Sequence, residues 1–166
     1  MRFLLFFFAF AIGCGETYTF AEDFDLSRDD VGWYDERRTV DQGVMGQVVH
    51  IDDLNAFDVA YSVPVATDVR VYDVTEMRRV TFDGQIETHA AIAKIDADLV
   101  AMTTSDTDGF FELDLPAGSY SLFVKAPESD TWYCVDWNEK DEMCVFNVER
   151  NTATIYNIEL DYTLAY

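Results

Sequence analysis

Asp108-Gly109-Phe110-Phe111-Glu112-Leu113-Asp114-Leu115-Pro116-Ala117-Gly118-Ser119-Tyr120-Ser121-Leu122-Phe123-Val124-Lys125 reads as strand, turn, strand. Asp108-Gly109 turns the chain, with Gly109 in a positive-φ conformation that other residues resist. Side chains alternate along a strand, so Phe111, Leu113 and Leu115 fall on one side. Pro116-Ala117-Gly118 forms the next turn. Tyr120, Leu122 and Val124 return along the same side, in what is expected to be an adjacent strand. The two strands together supply six core side chains, each contributing roughly 1.5–3 kcal/mol on full burial. Ser119, Ser121, Phe123 and Lys125 are expected to face out. Phe123 is the exception on that otherwise polar face.

Working outward, the same grammar continues in both directions. Strands are expected at 46–51, 68–74, 86–95, 99–104, 132–137, 143–149 and 152–160. Asp68-Val69-Arg70-Val71-Tyr72-Asp73-Val74 alternates with period two and is rich in β-branched residues. Lys94 to Asp98 and Asn138-Glu139-Lys140-Asp141 supply turns. In the last segment Thr154, Tyr156, Ile158, Leu160 and Tyr162 share one face. No strong helix signal is present: Ala90 to Val100 is alanine-rich but carries Asp, Ile and Val at odds with one helical stripe. Short strands at this spacing predict an all-β antiparallel sandwich over residues 43–166.

Thr103-Thr104-Ser105-Asp106-Thr107-Asp108-Gly109-Phe110-Phe111, followed by Leu115-Pro116-Ala117-Gly118-Ser119-Tyr120 and an alternating strand, resembles the signature of carboxypeptidase regulatory-like domains. Their pattern is a Thr-rich strand end, Asp-x-x-Gly-x-Phe, then Leu-Pro-x-Gly-x-Tyr. Gly46-Gln47-Val48-Val49 is similar to the family's opening strand. Pro64-Val65-Ala66-Thr67-Asp68-Val69-Arg70-Val71-Tyr72 is similar to its second. The resemblance covers residues 43 to about 162 and implies a seven-stranded Greek-key sandwich, transthyretin-like (prealbumin-like). This chain departs from the short versions of the family by inserting Glu76 to Ile86 and by adding a cysteine-flanked hairpin. The family accompanies carboxypeptidases and contains none of their zinc ligands.

The chain opens with Arg2, an apolar run Phe3 to Ile12, and Gly13-Cys14. That run is too short for a bilayer span of roughly 20 residues, so residues 1–13 read as a cleaved export leader. Ala11-Ile12-Gly13-Cys14 resembles the bacterial lipobox, with Ala11 in place of the usual leucine. That likeness implies acylation of Cys14 and attachment to the membrane through lipid. Gly15 follows, where an inner-membrane retention signal would place Asp, so the likeness implies an outer-membrane lipoprotein of the cell envelope. Residues 14–42 read as an acidic tether with Phe20, Phe24, Trp33 and Tyr34 scattered through it.

The net charge of −21 becomes one unit more negative when Arg2 is removed. Nucleic acid is not expected as a partner, because phosphate recognition relies on Lys and Arg. The acidity otherwise reads as solubility and repulsion from a negatively charged surface, or as attraction for cations and basic partners. Three cysteines are odd in number for an exported chain. With Cys14 carrying lipid, Cys134 and Cys144 remain, and they are expected to pair in an oxidising compartment. Their spacing does not fit the close cysteine pairs of a structural zinc site.

Few residues point to catalysis. His50 and His89 lie in different predicted strands, and neither a Gly-x-Ser-x-Gly elbow nor a His-Glu-x-x-His helix occurs. The expectation is a non-catalytic protein that needs no cofactor. Asp106, Asp108 and Asp114, or Asp52, Asp53 and Asp58, offer hard oxygens for calcium, weighed against a plain solvated turn. With Gly109 in the glycine position of an EF-hand loop, Thr104 and Leu115 would occupy its first and twelfth ligand positions, so that register fails. Trp132, Tyr133 and Trp137 lie on the hairpin that the disulfide would stiffen. Exposed rings on a rigid element suit sugar faces or protein partners. The competing explanation is that at least two of these rings pack over the bridge or the sandwich edge. The functional expectations are a binding or adhesion module for a glycan or an envelope protein, or a structural subunit of an envelope assembly.

Overall fold

The computed structural model describes residues 31–54, 59–83, 90–127, 129–134 and 136–161. The leader, Cys14, His89, Tyr162 and most of the expected tether lie outside the described residues, as do the side chains of Asp52, Asp53 and Asp58. In chain order the elements are α1 (Val31–Arg37), β1 (Gly43–Leu54), β2 (Val59–Pro64), β3 (Asp68–Asp73), a 3-10 turn (Met77–Arg79), β4 (Val80–Phe82), β5 (Ala90–Ile95), β6 (Leu99–Thr104), β7 (Phe110–Asp114), β8 (Gly118–Lys125), β9 (Trp132–Cys134), β10 (Val145–Val148), β11 (Ala153–Ile155) and β12 (Ile158–Asp161).

These strands form two sheets, the all-β sandwich that the alternation predicts. In the first sheet β1 is central. β7 lies antiparallel along its first half, and β2 lies antiparallel along its second half. β11 and β12 flank the other side, and both run parallel to β1. The second sheet runs β4-β5-β9-β8-β3-β6, with β10 also paired to β8. All of its ladders are antiparallel. Between the sheets lie Val44, Val48, Val69, Val71, Phe111, Leu115, Tyr120, Leu122, Val124, Phe146, Ile158 and Leu160, all buried. Their positions follow the period-two reading of each strand.

One expectation is corrected here. β7 and β8 are not adjacent strands: β7 pairs with β1, and β8 pairs with β3, β9 and β10. Leu115-Pro116-Ala117 therefore crosses from sheet to sheet. The Tyr120 hydroxyl ties this corner by donating to the Pro116 carbonyl at 2.9 Å. A hairpin and a corner need connections of similar length, so spacing alone does not separate them. Phe111, Leu115, Tyr120, Leu122 and Val124 still meet, facing each other across the core, with Leu113 half-buried beside them.

A second correction concerns the outer face of β8. Ser121 and Phe123 were expected at the surface, yet both are fully buried. The order of the second sheet explains this. β9, β8 and β3 separate β5 from β6, a distance of roughly 19 Å at about 4.8 Å per strand. Only Asp96, Ala97 and Asp98 join β5 to β6, a span of at most ~14 Å. The β4–β5 hairpin must therefore lean across the outer face. Beneath it Tyr72, Ile92, Phe123, Trp132, Cys134, Met143 and Cys144 form a second apolar layer. The Ser121 hydroxyl oxygen accepts from the Thr75 amide at 2.9 Å, which satisfies it inside that layer.

The C-terminal strand breaks at Tyr156-Asn157. The Tyr156 carbonyl presses against Gly46, where any Cβ would collide with it. Asn157 Oδ1 accepts from the Gln47 amide at 3.0 Å, replacing the lost ladder bond. The same oxygen accepts the Tyr34 hydroxyl at 2.5 Å. That bond brings in α1, which the sequence reading missed. Tyr34, Met45 and Phe110 form a third buried cluster on the outer face of the first sheet, with Trp33 and Ile155 packed against it. Residues 31–42, expected within the tether, thus lie on the sandwich.

Candidate functional site

The sandwich presents three places that the sequence singled out or should have. The first is the cysteine hairpin. Cys134 and Cys144 are joined, with Cα atoms 5.7 Å apart. Asn138 Oδ1 accepts from the Lys140 and Glu142 amides and shapes the tip. Trp137 and Met143 bridge its base. The rings, however, are not displayed. Trp132 and Tyr133 each retain 8% exposure. Period two sends Tyr133 into the central core and Trp132 into the second layer. Both faces of β9 are covered, one by the central core and the other by the second apolar layer to which β4 and β5 contribute. Trp137 is half-buried against the same layer. The Arg70 guanidinium stacks 4.2 Å from the Trp132 ring centre. Trp132 and Trp137 therefore pack in the layer that holds the bridge, and Tyr133 lies in the central core.

The second place is the Asp106–Gly109 turn, weighed above for calcium. Asp106 Oδ1 accepts from the Asp108 and Phe110 amides at 2.9 and 3.0 Å, an Asx turn. The other Asp106 oxygen pairs with Arg37, and Asp108 pairs with the same guanidinium at 2.8 Å. Arg37 sits 4.7 Å from the Trp33 ring centre and 4.8 Å from that of Phe110. The Asp108 hydrogen bond, together with the charges of both aspartates, holds the guanidinium pKa above its ordinary value against the pull of burial. Both carboxylates pair with the chain's own cation, Arg37, and so clamp α1 to the turn. Asp114 is exposed on β7. Among the described residues, no group of three His, Cys, Asp or Glu side chains is arranged to hold a metal ion.

The third place was not anticipated. β6 ends the second sheet and pairs only with β3 among the described residues. The Ser105 amide points inward, to the Thr67 carbonyl at 2.9 Å. Amides alternate in direction along an antiparallel strand, so those of Met102 and Thr104 point to the open side. Met102 is 66% exposed, Leu99 49% and Val100 40%. Ala101 and Thr103 lie opposite the buried Val71 and Val69 and are half-buried. A signal for this edge was available. Leu99 to Ser105 carries no charge in a chain that is 26% charged, and edge strands are usually blunted by charge or proline.

His50 lies half-buried on β1 opposite Val63. Among the described residues no helix is long and apolar enough to cross a membrane. Compared with known proteins, the chain matches no family model and no curated sequence.

Proposed function

We propose that the chain is a lipid-anchored protein of the bacterial cell envelope, at the outer membrane, whose sandwich is a non-catalytic binding or adhesion module. The observation that carries this reading is the Cys134–Cys144 bridge. A buried structural disulfide fits an oxidising, extracytoplasmic compartment. It also leaves Cys14, at the end of the leader-like run, as the one cysteine available for acylation. The carboxylates of the Asp106–Gly109 turn are engaged by Arg37, which supports a structural role for them over a catalytic one.

Between the two ligand classes, the geometry supports a protein over a glycan. Sugar recognition would call on displayed rings, and Trp132 and Tyr133 are buried. A protein partner, or a place as a subunit in an envelope assembly, is supported by the uncharged, exposed edge of β6. The resemblance to carboxypeptidase regulatory-like domains remains compatible with this reading and rests on the quoted motifs alone.

Intact mass of protein extracted from membranes tests the anchoring. The expected species lacks residues 1–13, carries acyl chains on Cys14, and is two hydrogens lighter from the bridge. Unmodified full-length chain released without detergent would overturn the reading.

A further inference from the structure

We propose that the open edge of β6 accepts an extended segment of a partner protein as an added strand, and that this segment is apolar in its middle and basic at both ends. The inference rests on the binding-module reading above and names the partner's chemistry. The edge is a backbone template: six residues, about 20 Å long at ~3.4 Å per residue, with the Met102 and Thr104 amides aimed away from β3. Strand addition uses such main-chain groups for affinity and alternate side chains for selection.

The side chains along the edge set the middle of the partner. Leu99, Val100 and Met102 are large, apolar and exposed, and no residue of β6 is charged. The surroundings set its ends. Asp96 and Asp98 precede the strand, with exposed Asp73 beside them, its amide bonded to the Asp98 carbonyl. Asp106 and Asp108 follow it, and Asp68 lies across from Thr104. Cations stand near both ends as well: Arg79, donating to the Asp96 carbonyl, and exposed Lys94 at the first, Arg37, paired with Asp106 and Asp108, and Lys125, paired with Asp130, at the second, so that carboxylates still outnumber cations at each end. An uncharged strand bracketed by acid complements a strand bracketed by base. The same charges oppose a second copy of this chain. Antiparallel pairing of two β6 strands would set Asp96 and Asp98 of one against Asp106 and Asp108 of the other, on molecules that each carry −21.

The test measures binding of two fluorescent ten-residue peptides to the full chain in mild detergent. One has three Thr-Val repeats with two lysines at each end; the other has glutamates in place of the lysines. The basic peptide is expected to bind with micromolar to submillimolar affinity, at least tenfold tighter than the acidic one, and to weaken as salt rises. Met102→Pro removes one outward amide while leaving the bonds to β3, and it should weaken binding at least tenfold. Because proline could disturb the strand, Met102→Lys is measured beside it; a like charge on the edge should also weaken the basic peptide tenfold. Near-ultraviolet circular dichroism of each variant should match the parent. Equal binding of both peptides, no binding at millimolar concentration, or unchanged affinity in folded Met102→Pro and Met102→Lys would overturn the proposal. So would a dimer in sedimentation that Met102→Lys dissociates, since the occupant would then be a second copy. Acylation plays no part in these readouts, so the edge and the anchor stand or fall separately.

Discussion

Tyr156 shows how one side chain ties chemistry to stability. Its ring packs against Phe146, with centroids 5.5 Å apart, and touches both apolar layers. Burial, aided by the negative charge of Asp136, pushes its hydroxyl pKa up to about 12 from an ordinary value near 10. The neutral form is thus favoured in the folded chain. The stabilisation is present in full below pH 10, falls as the unfolded chain ionises, and is lost once pH rises through about 12. Tyr156→Phe cannot ionise, so its stability should fall less across that window, by on the order of 2 kcal/mol. Urea unfolding of both proteins at pH 9 and pH 11.5 measures the difference, and parallel losses would show that Tyr156 ionises freely in the fold. Arg37 is a smaller case. Its two aspartate partners are 44% and 62% exposed, so solvent screening limits each pair to about 0.2–1 kcal/mol. Stacking between Trp33 and Phe110 adds a term of similar size.

At the scale of elements, α1 is where sequence reasoning stopped short. It has seven residues, and it meets the sandwich through Trp33, Tyr34 and Arg37, which share one helix face but span little more than a turn, too short for a repeating stripe. Such a helix is held by its contacts and has little stability alone. A chain begun at Gly43 would therefore uncover Met45, Phe110 and Ile155 and lose the Tyr34–Asn157 bond. Against a chain begun at Val31, it should be less stable by roughly 2–4 kcal/mol, from one fully and one partly buried aromatic side chain. Chemical denaturation of the two reads this directly, and coincident midpoints would mean that α1 is only laid on the surface. The strands were more legible, because alternation is local. β6 falls on the predicted residues 99–104, and β3, β7 and β8 fall within a residue or two of theirs. Which sheet each strand joins was not legible, since Leu115-Pro116-Ala117 would serve a hairpin or a corner equally. Phe123 was the one overt sign of a covered outer face. As for the candidate sites, the cysteine pair could be read from counting alone. The fate of Trp132 and Tyr133 could not, because it depends on β9 lying between the central core and a second apolar layer.

For the whole molecule, the outer layer needs a fastening that the central core does not provide. β4 and β5 reach the rest of the second sheet through β9, whose pairing with β8 has only two residue pairs. The loop leaving β9 returns through Cys144, whose carbonyl accepts from the Leu122 amide at 3.1 Å on β8. The disulfide therefore pins β9 to the strand beside it and holds the floor beneath the leaning hairpin. Closing a loop of this length stabilises by roughly 2–3 kcal/mol through the unfolded chain. Cys134→Ala with Cys144→Ala should lower stability by about that amount. It should also loosen the packing around Trp132, Phe123 and Tyr72, seen as weaker near-ultraviolet circular dichroism, while the far-ultraviolet strand signal stays. Cys134 and Cys144 are 1% and 2% exposed, so reductant reaches the bridge only when this layer opens. Reduction of the native protein should then be slow, and subdenaturing urea should speed it steeply. Fast reduction without urea, together with an unchanged melting temperature in the double variant, would show that β9 and the outer layer hold without the bridge.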